Sequence, residues 1–114
     1  MTVRELAAAL DLSTLTGQGH LDREVTGGYA SDLLSCVMAG ARAGDVWVTL
    51  QGHANVVAVA SLLSLAAVVI TEGVRPDAAT LERAEAEGVV LLSSPRTTFA
   101  VVSELARQGV AARA

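Results

Sequence analysis

The feature that most constrains this chain is the stretch at residues 56–70, which carries no charged side chain. It is entered through an apolar run at 46–50 and a glycine turn bearing Gln51, His53 and Asn55. It falls short of the ~20 residues a membrane-spanning helix needs, and Ser61 and Ser64 interrupt it, so no membrane partner is expected. With Glu72 and Gly73 directly behind, it reads as two buried elements, a helix over about 54–64 and a strand over 67–70. The run at 46–50 lacks period-two alternation, which is typical of a strand in a parallel sheet covered on both faces. The helix is apolar almost all round and must be buried on more than one side. A chain of 114 residues has few layers with which to cover it twice. A partner subunit is therefore expected over its outer side, making a homodimer or larger.

The rest of the chain alternates in the same way. Thr2 can cap a short first helix with Glu5 as the reciprocal residue of a capping box, and Leu6 and Leu10 mark its apolar face. Leu12 and Leu15 suggest a short strand within the Thr, Ser and Gly-rich stretch 11–19. Residues 24–26 read as a strand broken by Gly27 and Gly28. Ser31 and Asp32 open a helix carrying Leu33, Leu34, Val37 and Met38, closed by Gly40 and Gly44. Pro76 and Asp77 open a charged amphipathic helix to about Glu87, with Leu81 and Ala84 inward and Gly88 at its end. Residues 89–92 form a strand. Ser94 before Pro95 signals a cap for a last helix with Phe99, Val102, Leu105 and Ala106 inward, and residues after Val110 should fray. Strands alternating with helices at this spacing predict a single α/β domain over 1–114, with a mostly parallel sheet flanked by helices.

Composition narrows the function classes. A formal charge of -4 disfavours a nucleic-acid partner, which selects a basic surface. Tyr29, Trp47 and Phe99 are too few to stack bases. There is no lysine, so no phosphate loop of the Walker type, and the two glycines at 27 and 28 are not a dinucleotide fingerprint. Cys36 is the single cysteine, read as a small buried hydrophobe, and two histidines without spaced carboxylates make a poor metal set. The first five residues hold two charges and no signal-peptide core, so a cytoplasmic location is expected. No cofactor and no catalytic set is expected.

In a parallel sheet, ligands sit beyond the carboxyl ends of the strands, near helix N-termini. Four polar clusters are predicted to fall there: Thr26, Gly27, Gly28 and Tyr29 with Asp32; Gln51, His53 and Asn55; Thr71 and Glu72; Ser93 with Thr97 and Thr98. These are the candidate ligand-binding residues. Capping and turn chemistry selects the same residue types, so the edge is either a site or only caps. His53 is read as a hydrogen-bonded structural histidine at a subunit interface, and Asp32 as a helix-start acid favoured by the dipole.

The motifs Asp22-Arg23, Thr26-Gly27-Gly28, Asp32-Leu33-Leu34-Ser35 and the Thr49-Gln51-His53-Asn55 turn, in order, resemble the DRTGG domain. The likeness runs from about Leu21 to Leu105, giving a domain core of about 21–108, and includes Gly44-Asp45-Val46-Trp47, Thr71-Glu72-Gly73 and Thr97-Thr98-Phe99. Cys36 stands where many relatives carry an acidic residue. The resemblance implies an α/β fold similar to the N-terminal domain of HPr kinase/phosphorylase. It also implies a regulatory role, since such domains sit between CBS domains in some family II pyrophosphatases and accompany some phosphotransacetylases, helping dimerisation and signal transmission. The expectation is a non-catalytic homodimeric module that senses a nucleotide or phosphorylated metabolite, or docks on a partner enzyme. Two alternatives stand beside it: an enzyme or kinase-associated subunit of phosphoryl-transfer metabolism, and a purely structural dimerisation scaffold.

Overall fold

Five strands and five α-helices are laid down in a computed structural model that describes residues 1–112. Helix α1 (Val3–Ala9) leads into β1 (Ser13–Thr14) and a single 3-10 turn at Gln18–His20. Then follow β2 (Gly27–Ala30), α2 (Leu34–Gly40), β3 (Asp45–Thr49), α3 (Ala54–Leu63), β4 (Ala67–Ile70), α4 (Ala78–Glu87), β5 (Leu91–Ser93) and α5 (Thr98–Arg107). The sheet order is β1-β5-β4-β3-β2, parallel except for β1, which runs antiparallel to β5. The expected mostly parallel α/β fold is the one observed.

Each step from β2 to β5 moves one place in the same direction, and crossovers of one hand then put α2, α3 and α4 on one face. Alternate strand residues serve the two faces. Trp47, Val68, Ile70 and Leu91 pack under α2–α4 with Val37, Val56, Val57 and Ala84. Val46, Val48, Val69 and Leu92 pack on the other side against Leu6 of α1, Leu10 at its end, and Val101 and Leu105 of α5. Covered on both faces, β3 and β4 are buried at every position, which is why β4 and the middle of β3, residues 46–48, are apolar without alternation.

That layering corrects the expectation that α3 needs a partner subunit. It is the middle helix of three, with α2 and α4 on either side and the sheet beneath, and Leu62 is the apolar residue it leaves outside, at 69% exposure. One chain covers it.

Other differences are local. The strand expected at 24–26 begins at Gly27 instead, and Glu24 makes only an isolated bridge to Thr2. The glycines pair rather than break: Gly27 and Gly28 lie opposite Asp45 and Val46, and a methyl on Gly28 would stand 3.2 Å from Val110 Cγ1. Helix α2 starts at Leu34 with no side-chain cap, leaving Leu33 and Met38 exposed and Val37 buried. Cys36 is exposed, not a buried hydrophobe. The strand expected at 46–50 runs Asp45–Thr49, and the one expected at 89–92 runs Leu91–Ser93. Thr97, not Ser94, caps α5, accepting from the Ala100 N–H at 3.1 Å, while the buried Ser94 hydroxyl accepts from Arg96 N–H. The inward face of α5 is Val101 and Leu105; Phe99, Val102 and Ala106 point out. The Thr2–Glu5 capping box, the Asp77 cap and the Gly88 terminus stand as expected. Residues 111–112 carry no regular structure, and 113–114, also expected to fray, lie outside the described residues.

Candidate functional site

The carboxyl ends of β2–β5 carry two small hydrogen-bonded clusters. At the β2 and β3 end, Asp32 Oδ1 accepts from Thr49 Oγ1 at 2.8 Å and from Leu50 N–H at 2.9 Å. Gln51 Nε2 donates to the Asp32 carbonyl, and Gln51 N–H donates to Thr49 Oγ1. Asp32 is thus spent on tying the end of β3 to the end of β2, and the helix-start role read for it is not the one it plays.

The second cluster joins β4 to α5. Thr71 Oγ1 and Thr98 Oγ1 share a hydrogen bond of 2.7 Å, and Glu72 Oε2 accepts from Thr98 N–H at 2.9 Å, so a carboxylate already sits at the positive end of α5. Glu72 adopts φ of 62°, unusual for a residue with a side chain, and its N–H bonds Arg96 O while Gly73 N–H bonds Ser94 O. The loops that follow β4 and β5 are laced together by these bonds.

The remaining predicted residues divide. His53 and Asn55 stand exposed at the start of α3, where His53 takes the cap position without a side-chain bond. The Asp77 carboxyl is held below the usual aspartate range, chiefly by the Thr80 N–H and side chain, with a smaller contribution from the charge of His53. Tyr29 lies within β2 with its ring against Gly40, where an added methyl would come within 2.6 Å of Cε1. Thr26, Gly27 and Gly28 are at the opposite, amino edge: Thr26 N–H bonds Gly44 O and its hydroxyl faces Ala43 O. They do not join the other clusters, because the strand starts three residues later than its sequence suggests.

Ser93 ends β5 directly opposite Ser13 of β1 and lines a crevice of about 400 Å³. Ser13 of β1 and Leu15 just after it line one side, Val74, Arg75 and Pro76 line it from the β4–α4 loop, and Ser94 and Pro95 from the chain leaving β5. Ser13, Leu15 and Arg75 are not among the candidate site residues read from the sequence. Their one signal was the short strand suspected near Leu12 and Leu15; its pairing with β5 was invisible. A second, apolar groove of about 260 Å³ lies between β2 and α5, lined by Gly28, Ala30, Val48, Val102, Leu105 and Ala106 among others. Among the described residues, no His, Cys, Asp or Glu side chains gather in a set fit to hold a metal ion, and no helix is long and apolar enough to cross a membrane.

An open, mostly parallel sheet with helices on both faces and a polar carboxyl edge defines an α/β domain. The chain belongs to the DRTGG domain family, whose model matches residues 5–108 and so takes in most of α1 and all of β1, ahead of where the sequence motifs begin. Among solved structures it is similar to the CBS and DRTGG domains of the regulatory region of the Clostridium perfringens pyrophosphatase, crystallised with the activator diadenosine tetraphosphate. The TM-score is 0.73 at 12% sequence identity, covering 91% of this chain and 45% of that one. That likeness establishes the fold, and this chain spans less than half the length of that region. A search among curated proteins found no match.

Proposed function

We propose that this chain is a cytoplasmic, non-catalytic regulatory module that binds a nucleotide or phosphorylated metabolite and passes its state to a partner enzyme as a homodimer. The observation that carries this reading is how the strand ends use their polar groups. Asp32 and Thr49 in one cluster, and Thr71, Glu72 and Thr98 in another, are the groups a catalyst would need as base or nucleophile; they bond within their clusters and brace the loops, and the open crevice at the ends of β4 and β5 is lined by none of them. Loops braced in this way, next to a crevice free of acids and bases other than an arginine, suit recognition better than proton transfer. The fold shared with an activator-bound regulatory region supports the same reading.

The dimer half rests on α5, where Phe99 is 82% exposed and Val102 borders the apolar groove beside β2. A second copy seated there would remove the largest exposed aromatic from water.

Thermal unfolding against a panel of nucleotides and phosphorylated metabolites tests the sensing half. A ligand at a hundred times its dissociation constant adds about 2.7 kcal/mol, raising the midpoint by around 10 °C. A flat panel refutes it. For the dimer, sedimentation at micromolar concentration should give twice the chain mass, and Phe99→Asp should give the monomer with its fold intact. A wild-type monomer refutes the dimer alone.

A further inference from the structure

We propose that the crevice at the carboxyl ends of β4 and β5 binds a nucleoside monophosphate, with Arg75 on the phosphate and the Leu15, Val74 and Leu81 wall against the base. This rests on the nucleotide-sensing reading above and names its site.

Topology points here first. After β4 the chain turns to α4 on one face of the sheet, and after β5 it crosses to α5 on the other. Connections that leave neighbouring parallel strands toward opposite faces open a crevice between them, and that switch point is where open α/β sheets bind ligands. The steps from β2 through β4 all turn to the same face, so no other neighbouring pair of parallel strands does this.

The lining fits one chemical class. About 400 Å³ lies within the roughly 300–1,000 Å³ of small-molecule sites. Arg75 is the one charged residue in the wall, and the facing hydroxyls of Ser13 and Ser93 sit on the cross-strand pair that ends β5. Four other arginines are engaged: Arg4, Arg83 and Arg107 in ion pairs and Arg23 on Gly88 O. Arg75 makes no side-chain hydrogen bond or ion pair with the described residues and stands exposed in the loop before Pro76. A planar guanidinium offers a paired fork to phosphate oxygens. The nearest acid along the chain, Asp77, has its carboxylate engaged by Thr80 N–H. One guanidinium matches one phosphate group, not a polyphosphate chain. The bonds from Glu72 N–H to Arg96 O, at 2.8 Å, and from Gly73 N–H to Ser94 O, at 3.2 Å, hold the two loops in place before any ligand arrives.

The test is an amide-shift titration of the full chain with adenosine 5′-monophosphate, adenosine, inorganic phosphate and ATP. The monophosphate should move the amides of Ser13, Leu15, Val74 and Ser93, with ATP binding no tighter. Arg75→Ala should weaken the monophosphate about ten- to a hundredfold, leave adenosine unchanged and leave the thermal midpoint alone. Equal affinity in Arg75→Ala, or ATP binding far more tightly, overturns the assignment. Shifts confined to the groove between β2 and α5 overturn this site and leave the sensor reading standing. No shift with any probe overturns this assignment, and the sensor reading falls with it only if the thermal panel is flat as well.

Discussion

Replacing Thr16 by valine removes one hydroxyl and keeps the side chain's shape. That hydroxyl is 1% exposed with its residue and works in both directions, donating to Val89 O at 2.8 Å and accepting from Leu91 N–H at 3.1 Å. Both backbone partners are buried, so Thr16→Val strands one acceptor and one donor away from water. Each stranded group costs about 1–3 kcal/mol, and the added buried methyl returns about 0.8 kcal/mol. With two groups stranded the net loss is about 1–5 kcal/mol, a drop of roughly 5 °C or more in the midpoint for a domain of this size. Thr16→Ser keeps the hydroxyl and gives up a methyl, costing about 1 kcal/mol. Urea unfolding of the three proteins, followed by the fluorescence of the single, fully buried Trp47, measures the difference. If Thr16→Val falls within about 0.5 kcal/mol of wild type, or Thr16→Ser is as damaging, the hydroxyl bridge is not what holds β1 to β5. Because β1 walls the crevice, Thr16→Val should also weaken any ligand bound there.

Two further substitutions probe the loops around it. Gly17 has φ of 82°, and a methyl there would stand 2.7 Å from Val90 Cγ2 and 2.8 Å from Val90 Cα, so Gly17→Ala should cost more than about 2 kcal/mol in the same unfolding assay. Asp77→Ala should lower the midpoint at neutral pH by removing the bond from Thr80 N–H. Its carboxyl is depressed in the folded state, so the stabilisation is present above the unfolded pKa and lost as pH falls through the folded one; the gap to wild type should close in acid. An equal gap at both pH values would show that the charge is irrelevant.

Much of the fold was legible because burial on both faces writes itself as uninterrupted apolar sequence. Strand β4 and helix α4 came out at nearly their true bounds, the first from its four buried residues and the second from Asp77 and Gly88 at its ends. Strand β2 was misplaced because Gly27 and Gly28 signal a break, and only the packing of Val110 over Gly28 shows why a strand there wants no side chain. Ser94 followed by proline carries a cap signature, but the hydroxyl turned inward to brace its own loop, and the helix waited for Thr97. Asp32 sits next to a helix start in sequence, yet the parallel pairing of β2 with β3 brings Thr49 Oγ1 within 2.8 Å of its carboxylate, and the bond forms there. The crevice was the least legible part. Ser13 and Ser93 meet through an antiparallel pairing of two short strands at opposite ends of the chain, and no local pattern announces such a meeting.

The way Val110 closes over Gly28 has a mechanical consequence. At the other end of the chain, Met1 O accepts from Val25 N–H at 2.9 Å, just before β2 begins. Both ends of the fold thus gather at one pole, beside the first residues of β2. A neighbouring domain spliced to either end would hang from that pole, while the crevice opens at the other. The two are separated by about the length of the five-residue β3, some 16 Å at roughly 3.3 Å per residue. News of an occupant has two kinds of stiff rod to travel along, the buried strands and the helices that return between them, since both run from pole to pole.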